Sequence, residues 1–186
     1  MKKVELTNNR VLEIFQDDCA PNPRKEFDNV GTMICFHRRY NLGDEDHGFD
    51  TPEDVQEYLS ENPDVIALPL YLMDHSGVSM SVKPFGCPWD SGQVGVIIVT
   101  PEKLKSECIK REKAIGILTG EVKTYNQYLT GDVYGFMLQE ITKCDCCGES
   151  KLEVIDSCCG FFGFDLENIC YQAELSEEET KLVLEA

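Results

Sequence analysis

The sequence predicts an α+β fold with a mainly antiparallel sheet of about seven strands and three to four helices. Short alternating or apolar segments, each bounded by turn residues, recur along the 186 residues, which is typical of strands. Two segments begin with Thr-Pro followed by an acidic residue, which is typical of helix N-termini. The strands and helices do not alternate as regular βαβ units, so a doubly wound parallel sheet is not expected.

The strand patterns begin with a hairpin over 4–15, where polar and apolar residues alternate about an Asn-Asn turn. Alternation over 32–40 predicts a strand that places Met33 and Ile34 on opposite faces. The continuous apolar run over 64–73 predicts a buried strand that is bent or bulged at its proline. Further strands are predicted over 78–82, 93–99, 132–141 and 151–162.

The first helix has the clearest boundaries. Thr51 is its predicted N-cap, Pro52 its first residue, and Asn62-Pro63 ends it. Helices are predicted over 51–63, 101–113, about 115–129 and from Leu166. No repeat, linker or boundary is evident, so residues 1–186 are expected to form a single domain. A Cys-rich hairpin (142–162) and an acidic C-terminal tail (174–186) are its expected appendages.

The charge of the chain excludes some functions and favours others. It carries 34 acidic residues against 17 basic ones, a formal net charge of −17. Binding to a nucleic-acid backbone requires clustered Lys and Arg, so direct nucleic-acid binding is not favoured. An acidic surface instead favours a basic protein partner. With 42% hydrophobic residues, the chain has enough apolar content for a core.

No membrane or secretory segment is predicted. Residues 1–15 alternate in polarity and lack the apolar core of a signal peptide. The longest apolar run, Ile66–Met73, is too short to span a bilayer. The sequence therefore predicts a cytoplasmic protein, whose ten cysteines are mostly thiols or metal ligands rather than disulfides.

An acidic stretch is the first candidate site, because no Lys or Arg occurs from Tyr40 to Val82. The carboxylates of Glu53, Glu57 and Glu61 recur every fourth residue and predict a ridge on one helix face, about 6 Å apart. One interpretation is a surface that meets a basic nucleic-acid-binding groove, and the other is a solvated helix face. The predicted contact residues are Asp44, Glu45, Asp46, Glu53, Glu57, Glu61 and Trp89. The loop "GDEDHGFD" does not match an EF-hand, although an irregular Ca²⁺ or Mg²⁺ site stays open.

The cysteines near the C-terminus are the second candidate site. Cys144 and Cys147 form a C-x-x-C pair, which is a zinc-ligand spacing. Cys158 is the predicted third ligand, since Cys158 and Cys159 on a strand point to opposite faces, and the fourth ligand is unassigned. The alternative is a set of reduced thiols without metal.

Enzymatic chemistry has little support in the sequence, and the protein is not expected to be an enzyme. There is no phosphate-binding loop and no nucleophile elbow. Cys35 and His37 share a predicted strand face and are the nearest approach to a nucleophile and base. In "FGCPWDSGQVGVIIVT" (85–100), Trp89 is expected to plug the edge of the core, with an interface anchor as the alternative, and Asp90 to cap the turn.

Five segments form an ordered set along the chain: "FDNVGTMICFHRRYNLGDE" (27–45), "ALPLYLMDHSGVSM" (67–80), "CPWDSGQVGVIIV" (87–99), "YNQYLTGDVYGF" (125–136) and "DSCCGFFGFD" (156–165). This set resembles a widespread family of small proteins carried by phages, plasmids and other mobile elements of Gram-positive gut bacteria. The resemblance implies an inhibitor of the RNA-guided nuclease of type II CRISPR systems, which binds in or beside a basic channel of that nuclease in the bacterial host cell. A DNA-mimicking inhibitor of restriction enzymes and a zinc module or metal-dependent enzyme centred on 144–159 are the alternatives.

Overall fold

The structure, a computed structural model, describes residues 2–144 and 146–186. These residues form two compact units, of which one is Pro21–Thr130 and the other joins the chain up to Ala20 with Gly131–Ala186. Each unit contains its own four-stranded antiparallel sheet, so the predicted α+β fold is confirmed. The assignment of residues 1–186 to a single domain stays a prediction.

The described residues contain eight strands and six helices. In chain order they are β1 (Lys2–Glu5), β2 (Arg10–Gln16), α1 (Pro23–Glu26), β3 (Thr32–Cys35), α2 (Pro52–Glu61), β4 (Ile66–Asp74), β5 (Val78–Ser81), β6 (Ser91–Val99), α3 (Pro101–Ser106), α4 (Arg111–Thr130), β7 (Val133–Lys143), β8 (Ser150–Phe162), α5 (Leu166–Gln172) and α6 (Glu177–Glu185). None of these helices has both the length and the apolar character that crossing a membrane requires.

The sheet of the Pro21–Thr130 unit has the strand order β3-β6-β4-β5 and buries both faces. Ile97 of β6 packs in one core with Leu118 of α4, while the next residue, Ile98, packs in a second core with Val55 of α2. Met33 and Ile34 divide between the same two cores, which confirms the predicted alternation. The helices α2 and α4 therefore cover opposite faces of this sheet.

Two predicted boundaries in this unit are wrong. The strand predicted over 32–40 ends at Cys35, because the chain turns at His37, whose Nδ1 accepts hydrogen bonds from the N–H groups of Arg39 and Tyr40. The helix predicted over 101–113 ends at Ser106, and Cys108 adopts a φ of 55°, in the left-handed region that stops a helix.

The second sheet has the order β1-β2-β7-β8, with α5 and α6 packed in its core. The predicted Asn-Asn hairpin is confirmed, since Asn8 and Asn9 adopt φ values of 56° and 58° between β1 and β2. The Cys-rich segment does form the turn of the β7–β8 hairpin, although its Asp145 lies outside the described residues.

The acidic C-terminal segment differs from the predicted tail. Residues 177–185 form a helix whose Val183 is fully buried in the core of the unit. Glu179 is buried as well, because its carboxylate receives hydrogen bonds from Arg10 and Thr7. The acidic composition suggested a solvated tail, but one buried apolar residue, Val183, and one buried and partnered acid, Glu179, dock this helix.

Candidate functional site

The helix α2 forms the predicted carboxylate ridge. Thr51 Oγ1 accepts from the Asp54 N–H and Asp54 Oδ2 accepts from the Thr51 N–H at 2.8 Å, which closes a capping box at the start of the helix. Val55 is buried against the sheet and fixes which side of the helix faces the core. The remaining circumference exposes Glu53, Glu57 and Glu61, none of which forms an ion pair within the described part of the chain. Their negative charges are therefore uncompensated.

The loop acids have different roles. Asp44 is held by Arg24, whose Nε and Nη2 each donate to its carboxylate at 2.7 Å, and by the Met33 N–H at 2.8 Å. Glu45 forms an exposed ion pair with Lys25 at 2.6 Å, and Asp46 is exposed. Because the oxygens of Asp44 already have protein donors, Asp44 stabilises the fold and is unsuited to an irregular Ca²⁺ or Mg²⁺ site. Of the three, Asp46 is the most available to a partner.

The partner of Asp44 belongs to a buried ionic network that the sequence did not reveal. The Arg24 side chain is only 1% exposed, and its Nη1 donates to Glu121 on α4 at 2.9 Å. Glu121 also accepts from the Val30 N–H at 2.7 Å. Arg24 therefore joins the loop after α1, the acidic loop and α4. No local sequence signal identifies Arg24, because its partners lie 20 and 97 residues away.

Trp89 does not plug the core, because 91% of its surface is exposed. The loop around it is held by polar contacts: Asp90 Oδ2 lies 3.0 Å from His75 Nδ1 and 3.6 Å from Cys87 Sγ, and Ser91 Oγ donates to the Cys87 carbonyl. Asp90 thus binds two side chains instead of the backbone N–H groups expected of a turn cap. These contacts fix the loop without using the indole, which is left at the surface.

A depression connects Trp89 with α2. A cavity of about 250 Å³ is lined by α2 residues including Val55 and by the β6 residues 93–96. A neighbouring cavity of about 320 Å³ is lined by Trp89. The two share Phe36, Gln93 and Val94 in their lining, so they adjoin. The exposed indole and a partly apolar depression bordered by α2 therefore adjoin in this unit, while Glu53, Glu57 and Glu61 do not line the depression.

The candidate nucleophile has the wrong environment. Burial, with the nearby Asp44 carboxylate, raises the pKa of the Cys35 thiol to about 12, so it is not a thiolate at neutral pH. The Nδ1 of His37 accepts backbone hydrogen bonds in its own turn. The two groups do not form a nucleophile and base.

The structure assembles a different thiol group from the one expected. The Sγ atoms of Cys144, Cys146 and Cys147 all lie within 4.8 Å of one another. Cys158 is opposite Phe136 on the sheet, eight residues along β8 from Ser150, which at about 3.3 Å per residue is roughly 25 Å from the turn. Cys158 therefore cannot join Cys144 and Cys147 at one ion. Sequence reasoning missed Cys146, although residues two apart across a tight turn readily converge.

Comparison with known proteins gives no relative: no protein-family model, curated protein or solved structure matches this chain. The resemblance to phage and mobile-element proteins stays a prediction.

Proposed function

We propose that this chain is a binding protein that inhibits the RNA-guided nuclease of a type II CRISPR system. The inhibitor docks its acidic surface on a basic channel of the nuclease and blocks DNA binding or cleavage without chemistry of its own. The observation that carries the proposal is the row of exposed, unpaired carboxylates on α2, Glu53, Glu57 and Glu61.

Electrostatics explains why such a row suits a basic partner. Like charges four residues apart on a helix repel by a few tenths of a kcal/mol per pair, so the isolated protein is slightly destabilised by them. A channel rich in Lys and Arg, which normally holds nucleic acid, relieves that repulsion and speeds encounter. The resulting association weakens as salt screens the charges.

Trp89 supplies an apolar contact in the proposed complex. Tryptophan is enriched among the residues that dominate binding energy, particularly where it enters a pocket of the partner. The depression between Trp89 and α2 offers complementary space for a side chain of the nuclease. In this arrangement the indole anchors the complex, and the carboxylates of α2 determine its charge preference.

The test is a cleavage assay with the reduced protein titrated into a type II CRISPR nuclease, before and after guide loading, with target-DNA binding measured alongside. Wild-type protein should inhibit with saturation near one equivalent. Replacing Glu53, Glu57 and Glu61 with Lys should abolish inhibition. The matched control replaces Glu153, Glu167 and Glu178 with Lys, because these acids are exposed, unpaired among the described residues, and change the net charge equally.

Equal loss of inhibition in both variants would mean that inhibition depends on the net charge of the protein and not on the carboxylates of α2. Absence of inhibition by wild-type protein across several orthologous nucleases would reject the target. The same variants assayed with restriction endonucleases then test the DNA-mimic alternative, which uses the same acidic helix against a different enzyme.

A further inference from the structure

Three thiols meet at the tip of the β7–β8 hairpin, where Cys144 directly follows β7 and Cys146 and Cys147 lie in the turn. The three sulfur atoms lie within 4.8 Å of one another, and the closest pair, Cys144 and Cys146, is separated by 2.9 Å. Within the described residues, this is the one group of three or more Cys, His, Asp or Glu side chains whose ligating atoms converge so closely.

The spacing fits a tetrahedral zinc-type site. A Zn–S bond of about 2.3 Å and tetrahedral angles put two coordinated sulfurs about 3.8 Å apart. The Cys144–Cys146 separation of 2.9 Å, and the other two at no more than 4.8 Å, differ from that value by about 1 Å at most. Shifts of about 1 Å, which small side-chain rotations supply at a partly exposed turn, bring all three sulfurs to one ion.

Glu149 is placed to complete the site. Its Oε2 lies 3.7 Å from Cys147 Sγ. With a Zn–O bond of about 2.1 Å, a tetrahedral ion separates a coordinated oxygen and sulfur by about 3.6 Å. A rotation of the Glu149 side chain toward the other two sulfurs then fills the fourth position that the C-x-x-C pattern left open.

The turn is organised before any ion binds. The Cys144 N–H donates to the Glu149 carbonyl and the Gly148 N–H to the Cys144 carbonyl, both at 2.8 Å, and Gly148 takes a φ of 72° that favours glycine. The Cys146 thiol and the N–H groups of residues 146 and 147 hydrogen-bond to Cys144. The Cys144 sulfur is therefore held by the same turn that carries the other two thiols.

We propose that Cys144, Cys146, Cys147 and Glu149 form a tetrahedral site for a thiophilic divalent cation of the Zn²⁺ type at the hairpin tip. The cation replaces thiol protons and fixes the turn. This site lies in a different compact unit from α2 and Trp89, so it neither requires nor implies the inhibitory function proposed above.

The test is an anaerobic Co²⁺ titration of the reduced, full-length protein, followed by addition of Zn²⁺. One equivalent of Co²⁺ should produce thiolate charge-transfer absorption and the visible bands of a tetrahedral ion, and Zn²⁺ should displace it. Cys146→Ser and Cys147→Ser should each weaken Co²⁺ binding by more than about tenfold. Replacing residues that only hydrogen-bond to metal ligands already causes a loss of about that size, and loss of a ligand should cost more. Glu149→Gln should change the visible bands because the oxygen ligand is altered.

Cys158→Ser is the matched control, since it removes an exposed thiol of the same hairpin that is remote from the turn, and it should leave Co²⁺ affinity and spectrum unchanged. Three outcomes overturn the proposal. They are the absence of a tetrahedral Co²⁺ spectrum, equal weakening by Cys158→Ser, and a mass shift showing that Cys144 and Cys146 form a disulfide in place of binding metal under the same reducing conditions.

Discussion

Replacing Glu179 with glutamine should loosen the C-terminal helix, although the substitution keeps the side chain's shape. The carboxylate is 1% exposed and accepts hydrogen bonds from Arg10, including Nε at 3.2 Å, from Thr7 Oγ1 at 3.0 Å and from the Ser176 N–H at 3.1 Å. In glutamine, an NH₂ group replaces one of the two carboxylate oxygens. A hydrogen-bond donor would then face the donor groups of Arg10, Thr7 and Ser176. The charge that attracts Arg10 is lost as well.

The magnitude follows from the contacts. Hydrogen bonds to charged groups contribute about 1.5–3 kcal/mol, and breaking a fully buried pair costs about 3–5 kcal/mol. The side chain of Arg10 is 24% exposed, so water can rehydrate it in the variant. We therefore expect Glu179→Gln to lower the free energy of unfolding by about 2–3 kcal/mol at pH 7.

The effect should depend on pH in a defined direction. Burial raises the pKa of Glu179, but the hydrogen bonds from Arg10, Ser176 and Thr7 outweigh it, and the pKa lies below its usual value of 4.5. A carboxylate with a lowered folded-state pKa stabilises the fold fully above its unfolded pKa and loses this contribution as the pH falls through the folded value. The difference between wild type and variant should therefore be largest at neutral pH and shrink below about pH 4.5.

The assay is urea unfolding followed by circular dichroism under reductant, with hydrogen exchange measured over Glu177–Glu185. The matched control is Glu178→Gln, which changes a neighbouring exposed acid of the same helix. A loss below about 0.5 kcal/mol, the usual range for surface changes, or a loss equal to that of the control would refute the assigned role of Glu179.

Three further outcomes are expected. Gly95→Ala should lower the free energy of unfolding by about 1–3 kcal/mol or more, because the added Cβ would lie 1.9 Å from the Ile34 carbonyl oxygen. The control Gly92→Ala adds a Cβ that meets nothing within 4 Å, so equal melting temperatures of the two variants would contradict the close approach. Trp89 is the sole tryptophan, and its fluorescence emission maximum in the native protein should be that of an indole in water. Iodide should quench this fluorescence as strongly in native as in urea-unfolded protein, and a blue-shifted native spectrum would contradict the exposure of Trp89. The Cys35 thiol should resist alkylation by iodoacetamide at pH 8 until the protein is unfolded, because its pKa is about 12. Peptide mass spectrometry that finds rapid labelling of Cys35 in the native protein would contradict this expectation.

Local signals in the sequence predicted much of the fold. The Thr-Pro starts of α2 and α3, the Asn-Asn turn and the alternation around Ile34 depend on neighbours within a few residues, and the structure confirms them. The exposed ridge of α2 follows from the same local logic, because one buried residue, Val55, fixes the orientation of the whole helix.

The predictions that the structure contradicts concern side chains whose positions depend on residues distant in sequence. Asp44 was read as a surface acid, since nothing nearby in sequence identifies Arg24 as its ligand. Trp89 was read as core because aromatic residues usually bury, but its loop is held by Asp90 and a histidine fifteen residues earlier. Sequence spacing on a strand likewise suggested Cys158, although only the register of the hairpin fixes its distance from the turn.

The two proposed sites can be separated by experiment because they lie in different compact units. If the α2 carboxylates drive inhibition, the Lys variants of Glu53, Glu57 and Glu61 should lose inhibition and keep wild-type Co²⁺ binding. If the thiol site is independent, Cys146→Ser should lose Co²⁺ binding and keep inhibition. Loss of both properties in Cys146→Ser would mean that the metal-fixed hairpin tip also touches the nuclease, and the binding surface would then have to include it.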